Sequence, residues 1–242
     1  MSGWKARRFW KSVSVVAEGA GWGVRLDARP VRTPGKTPLI VPTEAMASAI
    51  AAEWGAQQGE VRPATMPMTR AANSALDKIA VQFDEVADLI AAYGGSDLLC
   101  YRATGPAALV ARQQAAWDPL LDWAAQHLGA PLRVTAGVVP VAQPQDSLDR
   151  LAALVHGFDP FRLMALHDLV SISGSLVIGL AVAQGRIDVQ AGWDASRIDE
   201  TWQTEQWGRD EEAATQEALK REALEDAARF LRLCGPSAAP WQ

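Results

Sequence analysis

The sequence predicts an α+β fold: a small N-terminal domain with an antiparallel sheet and a helix, and a larger all-helical C-terminal domain. Short runs of strand-forming residues, separated by Gly and Pro, fill the first forty positions. After residue 42, apolar residues recur mostly at helical spacing. The 242 residues suffice to bury a large core in one or two domains. We place the domains at 1–88 and 89–242.

The N-terminal strands are predicted from alternation and from tight turns. Residues 9–16 alternate between two faces, as a strand does, and Leu26–Arg29 and Pro34-Gly35 have the composition of turns. Because the connections are too short for parallel crossovers, we expect antiparallel pairing. A helix then begins after Thr43, its predicted N-cap. Residues 66–68 are predicted to be an extended connector before the next helix.

Most of the remaining chain is predicted to be helical. The helical patterns cover 69–93, 106–128, 145–156, 160–184, 188–207 and 209–234, and 131–144 is a connector or short strand. Pro119 should kink or split its helix, because proline removes a helix hydrogen bond. Residues 169–185 carry no charge, but 17 residues are too few for a membrane span. We interpret them as a central buried helix.

Composition excludes several functional classes. With 49% hydrophobic and 21% charged residues, the chain is too apolar for a disordered protein. Its net charge of −5 argues against nucleic acid as the main partner. The two cysteines, Cys100 and Cys234, offer neither a disulfide scaffold nor a zinc site. We therefore expect a soluble cytoplasmic protein without a metal, a cofactor or stable membrane insertion.

Charge is unevenly distributed along the chain. Residues 1–36 hold eight Lys/Arg and two Asp/Glu, whereas 194–229 hold eleven acids and five bases. Two interpretations remain open. The two segments are either solvated surfaces of one fold or surfaces that bind a partner.

The search for catalytic motifs is negative. The sequence contains no nucleotide-binding glycine loop, no nucleophile elbow and no zinc-binding helix motif. Cys100 lies in an apolar run, which favours a buried and unreactive thiol. His167-Asp168 can form an acid/base pair, although a capping role is more common. A small hydrolase or transferase using carboxylates and His167 is the alternative function, and it predicts a deep polar pocket near His167.

The segment SRIDETWQTEQWG, residues 196–208, has two different faces when it is drawn as a helix. One face carries Ile198, Thr201, Trp202 and Glu205, and the opposite face carries Glu200, Gln203, Thr204 and Trp207. Either both faces pack against the protein's own core, or the face with Trp207 contacts another protein. Aromatic residues beside polar neighbours are typical of such contacts.

Seven stretches occur in a characteristic order and spacing over residues 7–234. They are Arg8-Phe9-Trp10 with Val13, LDARPVRTP (26–34), VPTEAMASAIAAEW (41–54), MPMTRAANSALD (66–77), DLLCYR (97–102), QAAWDPLLDW (114–123) and DETWQTEQWG (199–208). Together they resemble the assembly chaperone of the F-type ATP synthase catalytic sector, a mitochondrial and alphaproteobacterial family. Trp202 stands where relatives often carry tyrosine.

The resemblance implies a protein without a reaction or a cofactor. It implies binding to the free alpha subunit, prevention of its aggregation and its release for assembly with the beta subunit. It also implies an important acidic residue in the last stretch, where this sequence offers Asp199 and Glu200, and the match favours Glu200. We expect Asp199, Glu200, Gln203 and Trp207 to bind the partner. The absence of an import presequence suggests a bacterial, cytoplasmic protein that is monomeric when free, with eukaryotic relatives in the mitochondrial matrix.

Overall fold

The computed structural model describes residues 7–208 and 210–236. These residues form two units, each discontinuous along the chain. The first unit comprises 7–83, 159–165 and 229–236, and the second comprises 84–158, 166–208 and 210–228. The division into domains 1–88 and 89–242 stays a prediction.

The first unit contains the antiparallel sheet that the sequence predicts. Strand β2 (Gly21–Leu26) pairs with β1 (Val13–Glu18), with β3 (Arg29–Pro30) and with β4 (Ile40–Val41), in each case antiparallel. Leu26 pairs with Arg29 across a two-residue turn, so the predicted hairpin is confirmed. Asp27 in this turn has a φ of 55°, a conformation that Asp tolerates better than most residues.

The first strand begins at Val13, four residues later than the alternation predicts. The backbone N–H groups of Lys11 and Ser12 donate to the Asp27 carboxylate, at 3.0 and 2.9 Å. These two donors are therefore used by a side chain and not by a neighbouring strand. The same hydrogen bonds lower the pKa of the Asp27 carboxyl group.

Two helices of the first unit begin at side-chain caps. Helix α1 (Glu44–Ala56) follows Thr43, whose Oγ1 accepts a hydrogen bond from the Met46 N–H, as predicted. Helix α2 (Pro67–Ser74) overlaps residues 66–68, so the predicted extended connector is wrong. Pro67 suits the first helical position, and the Glu53 carboxylate accepts the N–H groups of residues 68 and 69.

A carboxylate also holds the loop before β4. Asp77 accepts hydrogen bonds from Thr33 Oγ1 at 2.7 Å and from the Gly35 N–H at 2.8 Å, and these bonds lower the pKa of its carboxyl group. A Cβ on Gly35 would lie 2.7 Å from an oxygen of Asp77. The predicted turn at Pro34-Gly35 is present, and glycine is needed there for this close approach.

The core of the first unit joins residues that are far apart in the sequence. Residues of the sheet and of helices α1 and α2 pack with Ala165, Phe230 and Cys234. The Phe161 and Phe230 rings are stacked with their centroids 6.4 Å apart. The first 83 residues therefore share their core with two segments from the C-terminal half of the chain.

The rest of the described chain is mainly helical, as predicted. The helices are α3 (Phe83–Ala91), α4 (Ala107–Trp123), α5 (Gln145–His156), α6 (Pro160–Ser173), α7 (Leu176–Ala183), α8 (Val189–Ser196), α9 (Ile198–Trp207) and α10 (Glu211–Leu233). A short parallel pair joins β5 (Tyr101–Arg102) to β6 (Thr135–Ala136), the latter within the predicted connector or strand. The predicted start of the last helix, residue 209, lies outside the described residues.

Several predicted helix boundaries are wrong. The pattern over 69–93 is interrupted by a π-helical turn, Ala75–Ile79, and the α-helix resumes only at Phe83. Pro119 does not end α4, which continues to Trp123 because the buried neighbours Trp117 and Leu120 hold the helix in place. A second π-helical turn, Ala124–Leu128, follows.

Two predicted long helices are each divided in two. The pattern over 160–184 is broken at Gly174, whose φ of 74° ends α6, and Ser175 then caps α7 by accepting the Ile178 N–H. The pattern over 188–207 is divided at Arg197 into α8 and α9. These breaks are local, and the residues on both sides remain helical.

Helix α7 is the central buried helix that the uncharged segment predicts. Residues 176–181 are all buried. The buried Asp97 carboxylate accepts hydrogen bonds from Ser175 Oγ at 2.7 Å and from the Val177 N–H at 3.0 Å, which satisfies donors at the helix start. Among the described residues, none of the helices has both the length and the apolar character that crossing a membrane requires.

Candidate functional site

Helix α9 carries all four residues predicted to bind a partner, and their exposure differs. Trp207 is 80% exposed, Glu200 and Gln203 are also exposed, and Asp199 is half-buried. On the other face Ile198 is buried. Of the two open interpretations, packing of both faces against the protein's own core is therefore excluded, and contact of the Trp207 face with another protein stays a prediction.

Asp199 is anchored to helix α4. The amide of Gln113 is fully buried, and its Oε1 accepts a hydrogen bond from the Ala103 N–H at 2.8 Å. This bond leaves its Nε2 to donate to Asp199 Oδ1 at 2.6 Å. Asp199 therefore holds the start of α9 in place, and its direct contact with a partner stays a prediction.

Glu200 is exposed and is also paired within its own chain. Its Oε1 lies 2.9 Å from a guanidinium nitrogen of Arg197, one helical turn earlier. The side chain of Glu200 is 53% exposed, whereas that of Arg197 is only 15% exposed. Arg197 also donates to the Ile172 carbonyl and lies 5.3 Å from the centroid of the Trp193 ring. The arginine is thus held by the fold, and the carboxylate remains accessible.

A second anchor of α9 comes from Arg112 on α4. Its guanidinium makes two hydrogen bonds of 2.9 Å to the two carboxylate oxygens of Glu205. It also lies 5.1 Å from the centroid of the Trp202 ring, within the range of a cation–π contact. The pairing lowers the pKa of the Glu205 carboxyl group. Together with Gln113, Arg112 holds the helix along two of its turns.

The alternative function as a hydrolase or transferase depends on His167, which the structure pairs with Asp168. His167 Nδ1 lies 2.9 Å from Asp168 Oδ1, and this hydrogen bond raises the pKa of the imidazole. A cavity of about 560 Å³ exists in the second unit, but neither His167 nor Asp168 lines it. Cys100 is buried, as predicted, and burial raises the pKa of its thiol to about 12. Within the two described ranges, the side chains form no cluster suited to a metal ion.

Sequence reasoning missed the residues that hold α9. The ion pair between Arg197 and Glu200 was detectable in the sequence, because residues three positions apart are neighbours on a helix surface. The contacts of Arg112 and Gln113 left no local pattern in the sequence, because these residues lie 93 and 86 positions from the residues they contact. Such contacts depend on tertiary packing.

Comparison with known proteins identifies the family. A family model described as the ATP12 chaperone protein matches residues 7–125. The mitochondrial protein atp12 of Schizosaccharomyces pombe is 24% identical over 219 residues, which are 86% of this chain and 75% of that protein. The family model thus carries a chaperone name, and the relative carries an Atp12 name.

The solved structures of relatives are more similar in sequence to this chain than the Schizosaccharomyces pombe protein is. Atp12 from Paracoccus denitrificans is 56% identical, with a TM-score of 0.92 over 95% of this chain and 98% of that chain, and a point mutant of that protein matches equally well. A structure from Agrobacterium tumefaciens is 41% identical, with a TM-score of 0.89 over 93% of this chain and 85% of that one. The predicted α+β fold class is confirmed by these matches. With this identity over nearly its whole described length, the chain belongs to the ATP12 chaperone family.

Proposed function

We propose that this protein is a non-enzymatic chaperone that binds the free alpha subunit of the F-type ATP synthase catalytic sector. It prevents aggregation of that subunit and releases it for assembly with the beta subunit. Membership of the ATP12 family supports a chaperone role in ATP synthase assembly. The structural observation that carries the proposal is Trp207, an 80% exposed aromatic side chain at the end of α9.

The polar surroundings of Trp207 suit a chaperone that must release its partner. An unassembled subunit exposes an interface that is buried in the final complex, and exposed apolar patches promote aggregation. A temporary cover must bind this interface more weakly than the beta subunit does. Glu200 and Gln203 on the same exposed face supply polar contacts beside a single aromatic residue. A small apolar centre with a polar rim favours specific but reversible binding.

The anchors of α9 reduce the cost of binding. Asp199 is held by Gln113, and Glu205 is held by Arg112. The helix is therefore ordered before the partner arrives, and less conformational freedom is lost on association. We propose Glu200, Gln203 and Trp207 as the residues that contact the alpha subunit, with Asp199 at the edge of this surface.

The proposed function is tested by co-expression with the alpha subunit of a bacterial F-type ATP synthase. We expect a complex that survives affinity purification and a larger soluble fraction of the alpha subunit than without the chaperone. Added beta subunit should displace the chaperone. If neither complex nor protection is observed, the proposed function is wrong.

The contribution of Trp207 is tested with the variant Trp207→Ala. Truncating an aromatic anchor in a protein interface commonly weakens binding by about tenfold or more. We expect such a loss in a pull-down titration, with an unchanged melting temperature because Trp207 is exposed. Leu219→Ala removes another exposed apolar side chain, on α10, and should bind like the wild type. Equal binding by both variants would exclude Trp207 from the site.

We also propose that the protein acts in the bacterial cytoplasm as a monomer when free. The relatives of known structure from Paracoccus and Agrobacterium support a bacterial setting. Light scattering after size-exclusion chromatography should give a mass close to 26.0 kDa for the free protein. A dimer mass at micromolar concentration would contradict this proposal.

A further inference from the structure

An open groove lies beside α9 within the second unit. Its volume is about 560 Å³, within the range of about 300–1,000 Å³ that is common for ligand pockets. Helices α4, α8 and α9 form its walls, with the loop before α8. Its surface is mostly apolar and includes Ala116, Pro119, Leu120, Ile187, Ala191 and Ile198. A groove of this size and composition can accept several apolar side chains.

Two of the three charged residues that line the groove have partners within the protein. Arg112 is paired with both carboxylate oxygens of Glu205. Asp194 accepts a hydrogen bond of 2.7 Å from Gln190, whose own carbonyl oxygen accepts from Arg221. The charge of Arg112 is therefore paired, whereas Asp194 is hydrogen-bonded to a neutral amide and keeps its negative charge.

Arg186 is the exception among the groove residues. It lines the groove and is exposed, and its guanidinium has no hydrogen bond or ion pair with any side chain in 7–208 or 210–236. The groove therefore combines an apolar surface with a cation that has no partner among the described residues, Arg186, and with the Asp194 carboxylate, which already accepts from Gln190. A ligand that fits this surface supplies apolar side chains and a carboxylate that reaches Arg186.

We propose that this groove receives an apolar segment of the alpha subunit, and that Arg186 pairs with a carboxylate in or next to that segment. The inference rests on the proposed function, because it identifies a second contact region for the same partner. Helix α9 connects the two regions: Ile198 and Thr201 line the groove, whereas Glu200, Gln203 and Trp207 lie on the exposed face. The groove is therefore a second contact region, on the face of α9 opposite to Glu200, Gln203 and Trp207.

The apolar part of the proposal is tested by filling the groove. Ala191 is exposed on α8 and lines the groove, so Ala191→Trp should occupy the space without disturbing a packed core. We expect the dissociation constant for the alpha subunit to rise by about tenfold or more, as is common when a central contact is lost. Ala153→Trp, at an exposed position on α5, is the matched control and should bind like the wild type. Thermal melts verify that both variants fold.

The charged part is tested by reversing the charge of Arg186. Arg186→Glu should weaken capture by about tenfold and reduce the dependence of binding on salt, because an attractive ion pair is replaced by repulsion. Arg70→Glu changes the net charge equally at an exposed position on α2 and serves as the control. Equal loss of binding in both variants would indicate a general effect of net charge and would overturn the assignment to Arg186.

The outcomes separate this inference from the proposed function. If the wild type captures the alpha subunit and the groove variants capture it equally well, the groove is not a contact region, although the proposed function stands. If the wild type captures nothing, both fail together. If the wild type self-associates and Ala191→Trp abolishes self-association, the groove binds a second copy of this chain, and the inference is overturned.

Discussion

The three acidic residues of α9 differ in what their side chains are free to do. Asp199 is hydrogen-bonded to Gln113, and Glu205 is bound on both oxygens by Arg112. Glu200 is paired with Arg197 alone, and that arginine has other contacts that hold it in place. Glu200 is therefore the acidic residue that can turn to a partner with the least disturbance of the fold.

This difference predicts that Glu200→Gln separates binding from folding. Glu200 is 53% exposed, and Arg197 keeps its other contacts without it, so the free energy of unfolding should change by less than about 0.5 kcal/mol. Binding to the alpha subunit should weaken by roughly 10- to 100-fold, because hydrogen bonds to charged groups contribute about 1.5–3 kcal/mol in an interface. Chemical denaturation and a pull-down titration on the same preparation measure both effects.

The control for this variant is Glu222→Gln, which removes an exposed carboxylate from α10. It should change neither stability nor binding. A Glu200→Gln variant that melts and binds like the wild type would remove Glu200 from the proposed site. A variant that unfolds more easily and loses binding in proportion would assign Glu200 a structural role.

At the scale of elements, helices α6 and α7 pack so closely that one position tolerates no side chain. A Cβ on Gly179 would lie 2.5 Å from a methyl group of Val170 and 3.4 Å from Leu166. Both neighbours are fully buried and have no space to move away. The small residues of the uncharged segment therefore allow close approach between two helices.

We expect Gly179→Ala to lower the free energy of unfolding by about 1–3 kcal/mol, the usual cost of overpacking a core. Gly55→Ala, near the end of α1, is the matched control, since a Cβ there meets nothing within 4 Å. It should leave stability unchanged or raise it by up to about 1 kcal/mol, because alanine is the better helix former. Equal stability of the two variants in urea denaturation would contradict the close packing.

The elements could be predicted from the sequence where their signals are local. The N-cap at Thr43 and the hairpin at Leu26–Arg29 follow from short-range patterns, and the structure confirms them. Of the two effects predicted for Pro119, splitting of the helix is wrong, because packing of its neighbours outweighs the lost hydrogen bond, and a kink stays a prediction. Gly174-Ser175 carried a usable signal for the break between α6 and α7, a glycine followed by a capping serine.

The candidate site was also predictable only in part, because only some of its residues lie close together in the sequence. Its exposed residues belong to one helix, so their common face follows from helical geometry. Its anchors lie on α4 and the groove residue Arg186 lies in the loop before α8, and no local pattern connects them with α9. The same limit applies to any surface that is assembled from distant segments.

At the scale of the whole molecule, the stretches that reveal the family mainly hold each unit together. Thr33 in LDARPVRTP is bonded to Asp77 in MPMTRAANSALD. Glu53 in the third stretch caps helix α2, where the fourth stretch begins. Within the second unit, Arg102 of DLLCYR pairs with Asp118 of QAAWDPLLDW at 2.7 Å. These stretches therefore establish the fold, whereas the groove residues Arg186 and Ala191 lie outside all seven.

The shared core of the first unit predicts a large effect of Phe230, which lies near the C-terminal end of α10. Its side chain is 1% exposed and packs with the N-terminal sheet and helices. Phe230→Ala should lower the free energy of unfolding by about 3–5 kcal/mol, the usual cost of removing a buried aromatic ring. Thermal and urea denaturation of the full chain measure this loss, and a change below about 1 kcal/mol would contradict the packing.

The same core predicts that an isolated fragment of residues 1–80 does not fold cooperatively. The fragment lacks Ala165, Phe230 and Cys234, so apolar residues that are buried in the full chain would face water. A chain of about 80 residues is only marginally stable even with a complete core, and an incomplete core lowers its free energy of unfolding further. We expect its thermal melt, followed by circular dichroism, to show a gradual change, whereas the full chain melts with a sharp transition. A sharp transition in the fragment would show that the sheet and its helices form a complete core without the C-terminal segments.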